Sequence, residues 1–272
     1  MRSLTFSFLK NCKNKATSYT LKRMISGGLL QPKVIPKPTA DLSLIEIAQT
    51  WKEDVEPELR KSVLQDMQVI PEFVSKEEEA AMLAELDPQL KRMRYEFDHW
   101  DNAIHGFREK EVVQWSEASE AVLTRIKSVA FIPGTGAGMP MPAVHVLDLA
   151  SAGYIKPHVD AVKFCGEVIA GLCLVSSAVM RLEHCTNKQL ALDALIARRS
   201  LYIMRGSARY KFTHAVLGGE LSAFRGAPVT RQRRVAVICR SRPDPSAATP
   251  GPTPTPTGPD TENETPNKTP TE

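Results

Sequence analysis

"YIKPHVDAVKF", residues 154–164, is the stretch on which the reading of this chain turns. On an extended strand alternate side chains share a face, so His158 and Asp160 project the same way just after Pro157. An imidazole and a carboxylate placed like this suit a divalent metal ion, or they form an ordinary surface pair. A histidine two positions before an aspartate is a weak signal alone, and the chain holds a second one, "HWD" at 99–101. The residues downstream have to decide.

From residue 143 the chain is written in short β-type runs: "AVHVLDL" (143–149), "YIKPHVD" (154–160), "VIAGLCLV" (168–175), "SLYIM" (200–204) and "RVAVICR" (234–240). Several are apolar at successive positions, as strands buried on both faces are. His214, in "YKFTHAV", supplies a possible third donor. Two histidines and one carboxylate leave open positions on Fe(II), which oxygen-activating iron sites need. Arg234 and Arg240 lie six apart on one run and so share a face, where guanidinium forks suit the carboxylates of a keto-acid co-substrate. "HWD" has no arginine pair at a comparable distance and precedes the β-rich region. His158, rather than His99, is therefore the expected ligand.

Upstream the texture is helical. In "SKEEEAAMLAEL", Ser75 and Glu78 form a capping box, acids fill the first turn, and Pro88 is expected to end the helix. Ser116 to Val129 reads as a second helix with Val122, Leu123, Ile126 and Val129 on one face. Residues 43–68 look helical, and 95–107 look like strand and loop. The glycines of "GTGAGMP" (134–140) follow no clear strand and read as a loop rather than a phosphate cradle. Helices followed by many short strands predict an α+β fold with a sandwich or barrel core.

The ends differ from the body. The first 40 of the 272 residues hold eight Lys/Arg and no Asp or Glu, together with several Ser and Thr. That is the composition of a mitochondrial transit peptide, with a basic arm touching nucleic acid or membrane as the alternative. Without it the chain has 27 basic and 31 acidic residues, so the body is not a generally basic nucleic-acid binder. Its bases are clustered all the same: ten Lys/Arg and one acid lie between Arg198 and Arg240. The longest nearly apolar run, Val168 to Met180, is too short to span a bilayer. Five cysteines without a C-x-x-C pattern fit a reducing compartment, with Cys165, Cys173 and Cys239 as small core residues. Met180, Met204, Phe164 and Phe212 are expected in the core. Residues 243–272, rich in Pro and Thr, read as a disordered tail.

The combination of HVD, a distal histidine and R-x5-R on β-rich sequence resembles the AlkB family of Fe(II)/2-oxoglutarate dioxygenases. The runs "YEFDHWDNAIHGFRE", "GYIKPHVD", "KFCG", "VMRL", "RGSARY" and "VICRS" share in it, over roughly residues 68–242. The resemblance implies a double-stranded β-helix (jelly roll) core behind supporting N-terminal helices, with 41–67 a variable helical segment. It makes His158, Asp160 and His214 the Fe(II) ligands. It places Arg234 on the distal carboxylate of 2-oxoglutarate, Arg240 nearer the keto-acid end, and Tyr202 as a hydroxyl partner, aided by backbone groups of Val235 and Ala236. Where repair members carry Asn-x-Tyr, this chain has Leu147-Asp148-Leu149, and the usual Asn after the first arginine is Ala236. No nucleotide-reading flap is evident, so duplex DNA is not the expected substrate. The resemblance further implies a monomeric enzyme of the mitochondrial matrix acting on a protein side chain or a mitochondrial RNA base. It also links the chain to programmed necrosis after alkylation damage and to fatty-acid metabolism. The alternative from another class is a non-catalytic jelly-roll interaction module retaining an iron site.

Overall fold

The computed structural model describes residues 39–97, 103–134 and 136–243. The basic first segment, nearly all of the Pro/Thr-rich tail and the motif His99–Asp101 lie outside the described residues.

Ten strands form one antiparallel sheet: β1 (Ile45–Ile47), β2 (Met67–Ile70), β3 (Ile104–Val112), β4 (Val144–His158), β5 (Ile169–Leu174), β6 (Ala178–His184), β7 (Ala191–Ile196), β8 (Leu201–Met204), β9 (Phe212–Val216) and β12 (Arg234–Arg240). Between the last two, β10 (Ala223–Phe224) and β11 (Ala227–Pro228) pair separately. The order is β1-β7-β6-β9-β4-β12-β5-β8-β2, with β3 added against β4.

The sheet turns over along β4. β3 follows it over Val144–Leu149 and again at Tyr154 and Ile155, while its partner on the other edge changes from β12 over His145–Leu149 to β9 at Ile155 and His158. The two runs expected at 143–149 and 154–160 are thus one 15-residue strand that stops at His158, so Asp160 lies just past its end rather than on it. Its middle is tightly apposed to β3: a Cβ on Gly153 would lie 2.6 Å from the Gly106 carbonyl oxygen, and Gly106 itself has φ +67°. Only glycine tolerates that contact and that dihedral angle together.

Two layers result. Met180, Leu182, Leu192, Ile196 and Phe212 of the smaller layer pack against Cys173, Tyr202, Met204, Ala236 and Ile238 of the larger. The all-antiparallel pairing and the shared interior make this the expected double-stranded β-helix, or jelly roll.

Helices α2 (Lys76–Leu90) and α3 (Glu117–Ala130) cover the outer face of the larger layer. Met82, Leu86, Val122, Leu123 and Ile126 meet Val235, Val237 and Cys239 of β12 there. Both helices have serine N-caps, and the Ser75–Glu78 capping box is formed. Buried Glu79 clamps α2 to the sheet, accepting from the Val175 N–H and from Arg198 Nε at 2.8 and 2.9 Å.

Pro88 does not end α2. It sits in the last turn, which Lys91 closes by donating its N–H to the Asp87 carbonyl at 2.9 Å. The segment 43–68 is α-helical only over α1 (Pro57–Asp66), with a single 3-10 turn at Leu42–Leu44. Its apolar ends instead extend the sheet, β1 on β7 and β2 on β8, because edge pairing buries Ile45, Met67, Val69 and Ile70. A short helix α4 (Gly206–Tyr210) follows β8.

Candidate metal centre

His158 at the end of β4 and His214 on β9 are directly opposed across the ladder, with ring centroids 4.2 Å apart. Asp160 Oδ1 lies 3.3 Å from His158 Nε2 and 3.5 Å from His214 Nε2. Neighbouring ligands of a six-coordinate ion with bonds of about 2.1 Å are about 3 Å apart, so this spacing fits one divalent ion.

The local chemistry points the same way. His158 Nδ1 is 2.9 Å from the Lys156 carbonyl oxygen, which can only accept, so Nδ1 carries a proton. Nε2 is then the nitrogen turned toward the Asp160 carboxylate: with the ring protonated it donates to that oxygen, and in the neutral ring its lone pair is set for a cation between the two. Opposed lone pairs are reconciled by a cation, and a backbone partner on the far nitrogen is the usual support of a metal-bound imidazole.

Burial alone would raise the Asp160 pKa. The His158 hydrogen bond and the positive charge of Arg240 outweigh it and hold the carboxyl well below the usual range. His214 is pulled down to about 3, first by burial and then by neighbouring His158. At neutral pH it is therefore an uncharged donor.

The inner face of β12 carries Arg234, Ala236, Ile238 and Arg240 in alternation. Arg234 is only 2% exposed; its Nε donates to Cys173 Sγ at 3.2 Å, and its Nη2 is buried with no partner among the described residues. A buried guanidinium nitrogen with nothing to donate to is costly, and a ligand carboxylate would satisfy it. This donor fits the keto acid.

Tyr202 is buried on β8 opposite Gly171, its phenol pKa raised chiefly by burial. A Cβ at Gly171 would come within 2.5 Å of the tyrosine hydroxyl, so glycine is what leaves room for the ring. Leu149 and Leu147 lie opposite Arg234 and Ala236.

One of the sequence expectations changes here. β12 is central and paired with both β4 and β5, so the backbone groups of Val235 and Ala236 belong to its ladders. The small Ala236 side chain, rather than those backbone groups, faces the interior, and the Val235 side chain packs under the helices. Arg240 is held by protein groups: its Nε donates to Asp160 Oδ2 at 2.9 Å and its Nη1 to His145 Nδ1 at 2.8 Å.

The basic run 198–240 is largely absorbed by protein groups. Arg198 pairs with Glu79, Arg199 with Glu72, and Arg233 with Asp87 and Asp148. Arg209 and Arg231 donate to backbone carbonyls. Asp148, fully buried, also accepts from Arg108 Nε at 2.8 Å and from the Tyr95 hydroxyl at 3.2 Å. Sequence reading saw that aspartate only as part of Leu147-Asp148-Leu149.

A cavity of about 760 Å³ opens onto His158, Asp160 and Arg240, with Glu109, Glu111 and His145 on one wall. Phe164 stands at this cavity, 57% exposed. The core position expected for it is wrong: it follows the Asp160 turn and faces out, whereas Met180, Met204 and Phe212 are buried as expected. His145 and Glu109 were not found from sequence. The signal available for His145 is the alternation in "AVHVLDL", which would place it on the face opposite Asp148; Glu109 has none in its own run.

No protein-family model matches the chain. The alpha-ketoglutarate-dependent dioxygenase alkB homolog 7, mitochondrial, of Bos taurus is 53% identical over 184 residues, 67% of this chain and 82% of that protein. Its Mus musculus counterpart is 53% identical over 182 residues, 66% and 81% of the two chains. Among solved structures, OsALKBH1 has a TM-score of 0.48 at 13% identity, covering 65% of this chain and 97% of that one. At 53% identity over four-fifths of those relatives, the chain belongs to the mitochondrial alkB homolog 7 family of alpha-ketoglutarate-dependent dioxygenases.

Proposed function

We propose that His158, Asp160 and His214 hold Fe(II), that Arg234 binds the distal carboxylate of 2-oxoglutarate, and that Arg240 and Tyr202 complete its site. The convergence of two imidazoles and one carboxylate within 4.8 Å of one another carries this reading. Iron and keto acid together would supply the oxidation of a substrate C–H bond by O₂. The chain's own contribution is orientation and exclusion of water. The Lys156 carbonyl fixes the ring of His158, and His214 offers a lone pair without releasing a proton. Arg234 presents its donor in a dry strand environment, where a charge-assisted pair is strong.

The substrate enters the cavity beside His158, which is large enough for one amino-acid side chain or one extruded nucleobase. Hydroxylation of a polypeptide side chain is the first reading. Most arginines that could have gripped a phosphate backbone are paired with protein groups, and Glu109 and Glu111 stand on the wall. Demethylation of a mitochondrial RNA base is the second, favoured by the exposed Phe164 ring, a face on which a base could stack. Purified iron-loaded protein should turn 2-oxoglutarate into succinate without added substrate, and its failure to do so would overturn the site assignment. Mass spectrometry of matrix protein and RNA, with and without the enzyme, then separates the substrates. Loss of a hydroxylated side chain in its absence supports the first, and accumulation of a methylated base supports the second.

The protein is mitochondrial, as its relatives are named. We place it in the matrix, imported by residues 1–40, since an acid-free basic segment is drawn inward by the membrane potential. A fluorescent fusion lacking them should remain cytosolic; mitochondrial fluorescence from it would refute the import role. Effects on alkylation-induced necrosis and fatty-acid metabolism would follow from oxidation of a matrix substrate, and should disappear with a His158→Ala enzyme.

A further inference from the structure

Glu109 on β3, His145 on β4 and Arg240 on β12 form a diagonal of polar contacts across three adjacent strands, ending on Asp160. His145 Nε2 is 2.8 Å from Glu109 Oε2, His145 Nδ1 is 2.8 Å from Arg240 Nη1, and Arg240 Nε is 2.9 Å from Asp160 Oδ2. A guanidinium only donates, so Nδ1 of His145 must accept. The single proton of the neutral ring is then on Nε2, where Glu109 accepts it. The opposite tautomer would set an N–H against an N–H and lose both bonds. Glu109 thereby selects the tautomer, as a carboxylate beside an imidazole commonly does.

We infer that Glu109 and His145 are positioning residues for Arg240, fixing its guanidinium plane so that one nitrogen steadies Asp160 and another is offered to the co-substrate. With Nε and Nη1 engaged, Nη2 is the nitrogen without a partner among the described residues. Arg240 has four rotatable side-chain bonds, and a single hydrogen bond to Asp160 leaves the guanidinium free to rock. The second acceptor, His145 Nδ1, removes that freedom. The dyad is itself partly shielded, with side-chain exposures of 18% for His145 and 33% for Glu109. Ladder pairing holds it too: His145 faces Ile238 on β12 and Glu111 on β3.

This rests on the reading of Asp160 as a ligand and of Arg240 as part of the co-substrate site. Its test has two parts. In the metal-free wild-type protein, ¹⁵N resonances of His145 should show Nε2 protonated and Nδ1 bare; a proton on Nδ1 would overturn the inference. In anaerobic titrations of iron-loaded protein, His145→Phe should weaken 2-oxoglutarate binding about tenfold. His145→Gln, whose amide oxygen can still accept from Arg240, should restore most of it. In an Arg240→Ala background the His145→Phe change should have no further effect, because residues acting through one group are not additive. Additive losses, or a loss in Arg240→Ala with none in His145→Phe, would overturn the dyad's role alone. An Arg240→Ala protein that binds 2-oxoglutarate normally would instead overturn the co-substrate site, and the dyad's role with it.

Discussion

Arg234→Ala is expected to weaken 2-oxoglutarate binding by about 30-fold or more, the consequence of losing about 2–5 kcal/mol when one partner of a buried charge pair is truncated. The structure sharpens the reason. Arg234 is 2% exposed, its Nη2 has no partner among the described residues, and the acceptor of its Nε is a cysteine sulfur, which accepts weakly. The guanidinium is therefore under-satisfied until a carboxylate arrives. Arg234→Lys keeps the charge but not the fork, so its affinity should fall between those of wild type and Arg234→Ala. Arg198→Ala and Arg225→Ala should leave affinity nearly unchanged, because those side chains serve Glu79 and the Ile45 carbonyl. Arg234→Met gives a further contrast. Replacing an unpaired buried charge with an apolar chain of similar length should raise the unfolding midpoint of the ligand-free protein while binding is lost. Anaerobic titration reads the affinities and thermal unfolding the midpoint. Equal affinity in wild type and Arg234→Ala would refute the clamp.

His158→Ala and His214→Ala are each expected to cost about 100-fold or more in iron affinity, since even residues behind metal ligands are worth 10–100-fold. The two rings are cross-strand partners, so removing one leaves the other pointing at a vacated corner of the same site. Asp160→Ala should be worse, because Arg240 Nε loses its acceptor as well. His99→Ala should keep iron and activity. Iron content and succinate formation after reconstitution measure all four. Iron lost from His99→Ala but kept by His158→Ala would reverse the assignment.

Much of this was legible because two periodicities coincide with chemistry. The strand period of two put Arg234 and Arg240 on one face of β12, and it pointed to His158 and Asp160 as a pair although the strand stops at His158 and the turn after it brings Asp160 in. The serine caps and acidic first turns gave α2 and α3. What stayed hidden depended on pairing across the chain. Nothing local reveals that 143–149 and 154–160 are one strand, because continuity rests on the contact between Gly106 and Gly153. Likewise the run 198–240 looks like an exposed basic patch until Glu79, Asp87 and Asp148 are brought to it from elsewhere. Phe164 misled for a simpler reason: hydrophobicity predicts burial on average, and it stands at the rim of a cavity.

The two faces of β12 have a consequence for assembly of the sheet. Its outward residues Val235, Val237 and Cys239 lie under the helices, while its inward ones begin and end with arginine. Sliding the strand by one position against β4 or β5 would exchange the faces. Both guanidinium groups would then be thrust into an oily layer of leucine, isoleucine and methionine with no acceptor in reach. Misthreading is thus penalised by the very side chains proposed to hold the co-substrate, and the strand that needs the most accurate alignment carries its own proofreading.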